Sequence, residues 1–519
     1  MIEWGSITLT PLSSTVFLLA FSYLIYNYII YPAFLSPLSK LPAAHFTSSL
    51  TPLWITYKRR TGYESRTIAA AHKAHGPIIQ LAPNEVSVAS LDGLRKIYTG
   101  GFERTAWFLA FANYNGTPNL VTLFDGASHA RRKRMVSNIY SKSYLLRSED
   151  FRAMAAVLLF RRFLPAIALT NLAGEGCDVY EMGCALGAEF ISSYEMGTAN
   201  GIDIVRTGRE TARKEYLETA KRKFRQLRGK EAATKDLEDM CLDMCRRTEA
   251  FLALEGRVVV KDDQIETFPV VYAQLRETIP KIEGTQSEKE TELLVASELL
   301  DNIEAGREGI GIALTYAMWH LSRTPLVQKA LRKELLGLGK TFKYPLPNET
   351  AFSTENVRAL DGLPRLDAVI HETLRLNAPA PGPQRRMVPE GGTTVDGYFI
   401  PAGITISASP YSMHRNEDIY PEADKWKPKR WMPKNDSDEK DVEREGGNDM
   451  RRWFWVFGSG GRMCVGNNFT LLVLKLVLAA IYTNYETTII DDEGIEQLDD
   501  MMATPKGDKL ILGFTFLSE

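Results

Sequence analysis

The stretch Phe457-Gly-Ser-Gly-Gly-Arg-Met-Cys-Val-Gly466 sets Cys464 among glycines, two residues after Arg462 and just ahead of an apolar helical pattern. Glycines let a backbone approach a flat ligand closely and take up positive φ. The arginine can neutralise an anion, and the N-terminus of the helix that follows favours a thiolate over a thiol. These are the needs of a cysteine that ligates iron. A phosphate-cradling loop would end in G-K-[ST], which is missing, and Met463 falls where a dinucleotide fingerprint wants its third glycine. An ordinary glycine-rich turn would match Phe457, Gly460, Arg462, Cys464 and Gly466 by chance on the order of 10⁻⁴ times per chain.

Working outward, the chain holds five cysteines in 519 residues. An odd set without C-x-x-C spacing suggests neither a disulfide framework nor a zinc cluster. Cys177, Cys184, Cys241 and Cys245 are expected to be small buried hydrophobes, which leaves Cys464 as the chemical one. With 45% hydrophobic and 24% charged residues the chain can bury a large core. Lys+Arg 62 against Asp+Glu 64 gives a net charge of −2, which argues against a nucleic-acid partner.

No charged residue occurs from Trp4 to Ser39. Residues 12–31 supply about twenty mainly apolar positions, the length of a membrane-spanning helix. Lys40, Lys58, Arg59 and Arg60 follow the span and Glu3 precedes it, so the positive-inside rule places the body in the cytosol. Pro32, Pro37 and Pro42 are expected to end the helix and stiffen a connector. The expected organisation is a membrane anchor over 1–35 and one catalytic domain over 36–519. That domain reads as mainly α with small β-sheets. Helical patterns cover 216–228, 290–321, 325–338, 365–376 and 468–485, and strand-like alternation is limited to 78–88 and 393–409. Residues 433–449, dense in charge and glycine, read as a solvated loop.

The motif F-x-x-G-x-R-x-C-x-G, met by Phe457, Gly460, Arg462, Cys464 and Gly466, resembles the signature of the cytochrome P-450 superfamily of haem-thiolate monooxygenases. E-x-x-R follows as Glu372-Thr-Leu-Arg375, and Trp426-Lys-Pro428-Lys-Arg430-Trp431 comes next in the family's order. The resemblance covers nearly the whole chain and is nearest to fungal microsomal members of secondary metabolism. It implies the cytochrome P-450 fold behind an N-terminal transmembrane helix, and haem b held by Cys464 as axial iron ligand. Phe457, Gly458, Gly460, Arg462 and Gly466 would line the haem, and Glu372, Arg375 and Arg430 would form a buried structural network. Arg386 and Arg462 are the implied partners of the haem propionates. His129 takes the place of the usual Trp in W-x-x-x-R and Lys133 that of its Arg, which leaves open whether Lys133 or Arg134 reaches the haem.

The larger departure lies in the pattern [AG]-G-x-[DE]-T. Ala305, Gly306, Arg307 and Glu308 match it, but Gly309 replaces the threonine whose hydroxyl normally helps relay protons. Gly306, Gly309 and Gly311 are expected to loosen the helix. Arg307 beside Glu308 reads either as a surface pair or as part of a relay in which Glu308, ordered water or a substrate hydroxyl stands in. Trp107, Phe108, Phe111 and Tyr114, with Met501 and Met502, are candidates for an apolar, bulky substrate pocket.

The resemblance further implies O2 as co-substrate and NADPH electrons delivered by a separate reductase. Lys427, Lys429, Arg451 and Arg452 are candidates to meet that partner. A lipophilic small-molecule substrate, a single-pass place in the endoplasmic reticulum membrane and a cytosolic body complete the expectation. Two alternatives stand beside oxygen insertion: oxidative coupling, cyclisation or rearrangement without it, and a non-catalytic haem-binding sensor or scaffold.

Overall fold

The computed structural model describes residues 11–174, 176–226, 234–254, 260–261, 264–345, 352–433 and 447–517. Most of the loop expected over 433–449, and the end of the helix expected over 216–228, lie outside these residues. Helix dominates at 59%, against strands of two to seven residues. The chain divides into two compact units, Met1–Glu103 with Pro383–Met413, and Arg104–Gly382 with His414–Glu519.

The smaller unit begins with α1, Pro11–Ile25, which continues as a wider π-type helix over Tyr26–Leu35. Together they give an apolar candidate span, Ser14–Leu35, none of it buried. Pro32 does not end the helix as expected. The wider turn carries the chain past it, and the helix closes where the Ser36 amide donates to Tyr31 O at 2.7 Å. Two more helices follow, α2 over Leu53–Arg60 and α3 over Glu64–His75. A four-stranded sheet is ordered Ile78–Ala82, Glu85–Val88, Thr405–Ser407, Arg386–Met387. Its first pair is antiparallel around Pro83-Asn84, its middle pair parallel. Thr393–Val395 and Tyr398–Ile400 make a hairpin whose two-residue turn needs positive φ, supplied by Asp396 at 47° and Gly397 at 84°. Ile55, Ile68, Ile79 and Leu81 form the unit's own core.

The larger unit is built on helices α4 (Gly126–Val136), α5 (Val179–Met196), α6 (Glu210–Gln226), α7 (Thr234–Ala253) and α8 (Val270–Glu283). It continues with α9 (Glu288–Arg323), α10 (Pro364–Leu376) and α11 (Asn467–Asn484). α9 runs 36 residues, roughly 54 Å, through the main core. Against expectation Gly306 and Gly311 are packed tightly and do not loosen it. A Cβ on Gly306 would sit 2.2 Å from Ile191 Cγ1, and one on Gly311 would meet the Cys184 backbone at 2.9 Å. Gly183 and Gly187 of α5 face the same seam, where a Cβ on Gly187 would lie 3.0 Å from the carbonyl oxygens of Gly306 and Arg307. These glycines let two backbones touch.

Strands also occur beyond the two expected regions. Tyr485–Asp491 pairs antiparallel with Ile511–Phe516, which pairs in turn with Cys177–Asp178. The first of these starts on the residue after α11 ends, with no turn residue to mark the change.

Candidate functional site

Four cysteines are buried and Cys464 alone is exposed. Its amide donates to Phe457 O at 2.9 Å, closing the loop ahead of α11. Gly458 and Gly460 hold φ of 69° and 68°, which a side chain would strain. A Cβ on Gly458, Gly460 or Gly461 would meet nothing within 4 Å, and one on Gly466 would touch only Cys464 Sγ, at 4.0 Å. The loop thus borders open space with its sulfur accessible. Protein still surrounds the group, so burial pushes the thiol pKa up, against the pull of the Gly466 amide and Lys133.

Cations gather around this loop. Lys133 on α4 donates to Gly461 O at 2.9 Å and Met463 O at 2.7 Å. Arg462 donates to Leu123 O at 2.7 Å and to Phe124 O. Arg104 donates to Leu120 O at 3.3 Å and to Val121 O, and lies 4.6 Å over the Phe108 ring. Of the two cations left open by the sequence, Lys133 reaches the loop and Arg134 is exposed. His129 is buried one turn before Lys133. Arg132 is buried too, and its guanidinium pairs with Glu283 at 3.0 Å and Glu298 at 3.3 Å. Sequence reasoning missed Arg104 and Arg132; the run Arg131-Arg132-Lys133-Arg134 gives no sign of which member turns inward.

Behind the loop stands the expected ion network. Arg375 grips Glu372 with two bonds, Nε to Oε2 at 2.8 Å and Nη2 to Oε1 at 2.9 Å, and both side chains are fully buried. Arg430 Nε adds a bond at 3.0 Å and Trp431 Nε1 one at 2.8 Å. The network reaches the cysteine loop through His414. That ring donates from Nδ1 to Arg375 O at 3.0 Å and accepts the Trp455 amide on Nε2 at 2.9 Å, and Trp455 Nε1 donates to Ser459 Oγ at 2.9 Å. Burial, with Arg375 and Arg415 nearby, pushes the His414 pKa down to about 3, which keeps Nε2 free to accept.

The central turns of α9 present two unlike sides. Ala305 is exposed and Gly309, one turn on, is partly so; a Cβ on Gly309 would meet nothing within 4 Å. On the opposite side Arg307 is buried rather than at the surface. It pairs with Glu304 at 3.2 Å and with Glu308. Burial works against its charge, but the two carboxylates outweigh it and hold the pKa well above the ordinary value. Tyr180 of α5 donates to Glu308 Oε1 at 2.8 Å, and Tyr216 of α6 to Glu304 Oε1 at 3.2 Å. A crevice of about 220 Å³, lined by Tyr180, Cys184, Lys214, Lys221 and Arg307, reaches this cluster. About four turns along α5 from Tyr180, buried Glu195 accepts from Asn302 Nδ2 at 3.0 Å through Oε1, while its Oε2 has no hydrogen-bond partner among the described residues. Burial raises the pKa of this carboxyl well above 4.5.

The expected pocket residues separate. Trp107, Phe108 and Phe111 form an edge-to-face cluster, with Phe108 buried and Trp107 exposed. Tyr114 instead pegs its loop to α7, its hydroxyl donating to Glu238 O at 3.0 Å. Met502 packs on the main core beside Met501, and the Ala503 amide donates to Pro379 O at 2.8 Å. Lys427 pairs with Glu422 and Arg452 with Asp449, so part of the expected basic patch is neutralised. Arg386 belongs to the smaller unit, where it is buried over the Tyr98 ring at 5.0 Å.

Among the described residues no group of three or more His, Cys, Asp or Glu side chains is placed to hold a bare metal ion. One accessible thiolate ligand, open space beside it and cations at its rim suit a metal that brings its own flat ligand set and acidic side arms. The comparisons agree. The family model for cytochrome P450 matches residues 230–512. Cytochrome P450 monooxygenase hkm5 of Aspergillus hancockii is 24% identical over 93% of this chain and 91% of its own length. Cytochrome P450 monooxygenase FGM1 of Gibberella zeae is 25% identical over 86% and 87%. Pisatin demethylase of Fusarium vanettenii is 24% identical over 89% and 87%. With its signature cysteine exposed in the loop ahead of α11 and the family's model spanning more than half its length, this chain belongs to the cytochrome P450 family and is an enzyme of the monooxygenase kind.

Proposed function

We propose that the chain is a membrane-anchored haem-thiolate monooxygenase that inserts one oxygen atom from O2 into a lipophilic small molecule, an intermediate of fungal secondary metabolism. The accessible Cys464 sulfur carries this reading. Cys464 would ligate the iron, and Arg462, Lys133 and Arg104 would meet the propionates. Haem, when bound, supplies the oxygen-activating chemistry through its thiolate-ligated iron. The chain's own work is to exclude water, orient the substrate and deliver protons. Electrons would come from a separate NADPH-dependent reductase, and Ser14–Leu35 would anchor residues 36–519 on the cytosolic face of the endoplasmic reticulum.

A carbon-monoxide difference spectrum of the reduced protein tests the ligand. The expected thiolate-type band should vanish in Cys464→Ser, and its persistence there would sink the assignment. Reductase-dependent consumption of substrate then separates an enzyme from a sensor.

A second reading rests on Gly309. Without a threonine hydroxyl, proton delivery falls to ordered water or a substrate hydroxyl, since the expected stand-in Glu308 is taken up by Arg307 and Tyr180 behind the helix, or the oxidation needs no relay, as in coupling or ring closure. A Cβ at Gly309 would meet nothing within 4 Å. Oxygen-18 incorporation from O2 separates insertion from rearrangement. If Gly309→Thr changes neither the product pattern nor hydrogen-peroxide leakage, a specialised relay is excluded.

A further inference from the structure

Glu298 of α9 is 2% exposed, and one of its oxygens, Oε2, accepts from two places in the chain. The Leu120 amide donates to it at 3.0 Å and Arg132 Nη1 at 3.3 Å. Leu120 precedes the turn into α4 and Arg132 lies within that helix, so one carboxylate oxygen closes the stretch between them. Glu298 and Ala305 are seven residues apart, which keeps them within about 20° of the same side of α9 and on the order of 10 Å from each other. The acid therefore stands on the side of the helix that is open at Ala305 and Gly309.

The irregular segment 119–124 meets this acid near one end and the cysteine loop at the other. Asn119 Oδ1 folds it, accepting from the Val121 and Thr122 amides at 3.1 Å each. Two arginines are held by its carbonyls. Arg104 donates to Leu120 O and Val121 O, and Arg462 to Leu123 O and Phe124 O. A carbonyl oxygen fixes the plane of a guanidinium and leaves its charge in place, whereas a carboxylate cancels it. Glu298 and Glu283 both pair with Arg132. The aim of Arg104 and Arg462 is thus set by backbone, and the position of that backbone by Glu298.

We propose that Glu298 is a positioning residue for the cofactor: by holding Leu120 and Arg132 on one oxygen it fixes residues 119–124, whose carbonyls orient Arg104 and Arg462 toward the haem propionates. The proposal rests on the haem-thiolate reading above. Glu298 acts only through the backbone it holds, so its replacement should loosen the grip on the propionates and leave the Cys464 ligand untouched.

The test follows haem transfer from the full-length holoprotein in detergent to excess apomyoglobin. Glu298→Gln should release haem about tenfold faster or more than the wild type, with the thiolate-type carbon-monoxide band in its usual place. Glu283→Gln takes from Arg132 its other, partly exposed acid and spares the Leu120 bond, so it should stay within about twofold of the wild type. Hydrogen exchange should quicken at the amides of 120–124 in the first variant and not in the second. Reconstitution with haem dimethyl ester, which has no acidic arms, separates positioning from support: the wild type and Glu298→Gln should then lose it at equal rates. If Glu298→Gln does not fold, Glu298→Asp replaces it with the same expectation, because it keeps a charge beside Arg132 but falls short of the Leu120 amide. A wild-type rate in the Glu298 variant, equal acceleration in Glu283→Gln, or a difference that survives esterification overturns the proposal and leaves the Cys464 assignment standing. Absence of the thiolate band from the wild type overturns both.

Discussion

Gly306 and Gly311 on α9 and Gly458, Gly460 and Gly461 in the cysteine loop are one residue type used for opposite ends. On α9 the missing side chain is space already filled, because Ile191 and Cys184 of α5 occupy it. In the loop the missing side chain is space left open beside a sulfur. Gly309 sits on the packed helix but belongs with the loop, since nothing lies where its Cβ would be. A glycine's meaning is therefore set by what stands across from it.

Four changes would break or sharpen this contrast. The largest effect should come from Glu372→Ala, which strands Arg375 in the backing of the open loop; a loss of about 3–5 kcal/mol is expected in denaturant unfolding. A wild-type midpoint would mean that the loop is self-supporting. Next is Glu195→Gln beside the packed seam. The folded state keeps the Glu195 proton, while the unfolded chain loses it above about 4.5, so stability should fall as pH rises beyond that value. The glutamine variant should gain on the wild type by up to about 1.4 kcal/mol per pH unit between neutral pH and mild acid. Parallel pH profiles would show that Glu195 is ionised in the fold.

Gly311→Ala should cost about 1–3 kcal/mol, because the Cys184 backbone cannot yield as a side chain would. Gly309→Ala, the same chemical change half a turn away, should instead gain up to about 1 kcal/mol through helix propensity. Equal signs in thermal melts of these two variants would erase the distinction between filled and open glycines.

How legible all this was in the sequence follows the same line. Five identities around Cys464 were enough to find the loop, because each answers a separate chemical need. The long helices were legible from apolar periodicity, and Glu372, Arg375 and Arg430 through the resemblance to the family. Gly306 and Gly311 of α9 were misread as loosening, since their neighbours come from α5, more than a hundred residues earlier in the chain. The strand Tyr485–Asp491 was missed where it follows α11 without a break. His414 gave no local hint of its place between Arg375 and Trp455, which only tertiary contact creates.

The buried Arg307 cluster has a consequence for how such an enzyme diversifies. Ions, tyrosines and interlocked backbone hold α9 from behind, and its open side at Ala305 and Gly309 carries none of that support. Substitutions on the open side therefore leave the supports of the helix in place, whereas those behind it strike the scaffold. Freedom to vary and duty to stay fixed are thus parted on the two sides of one helix.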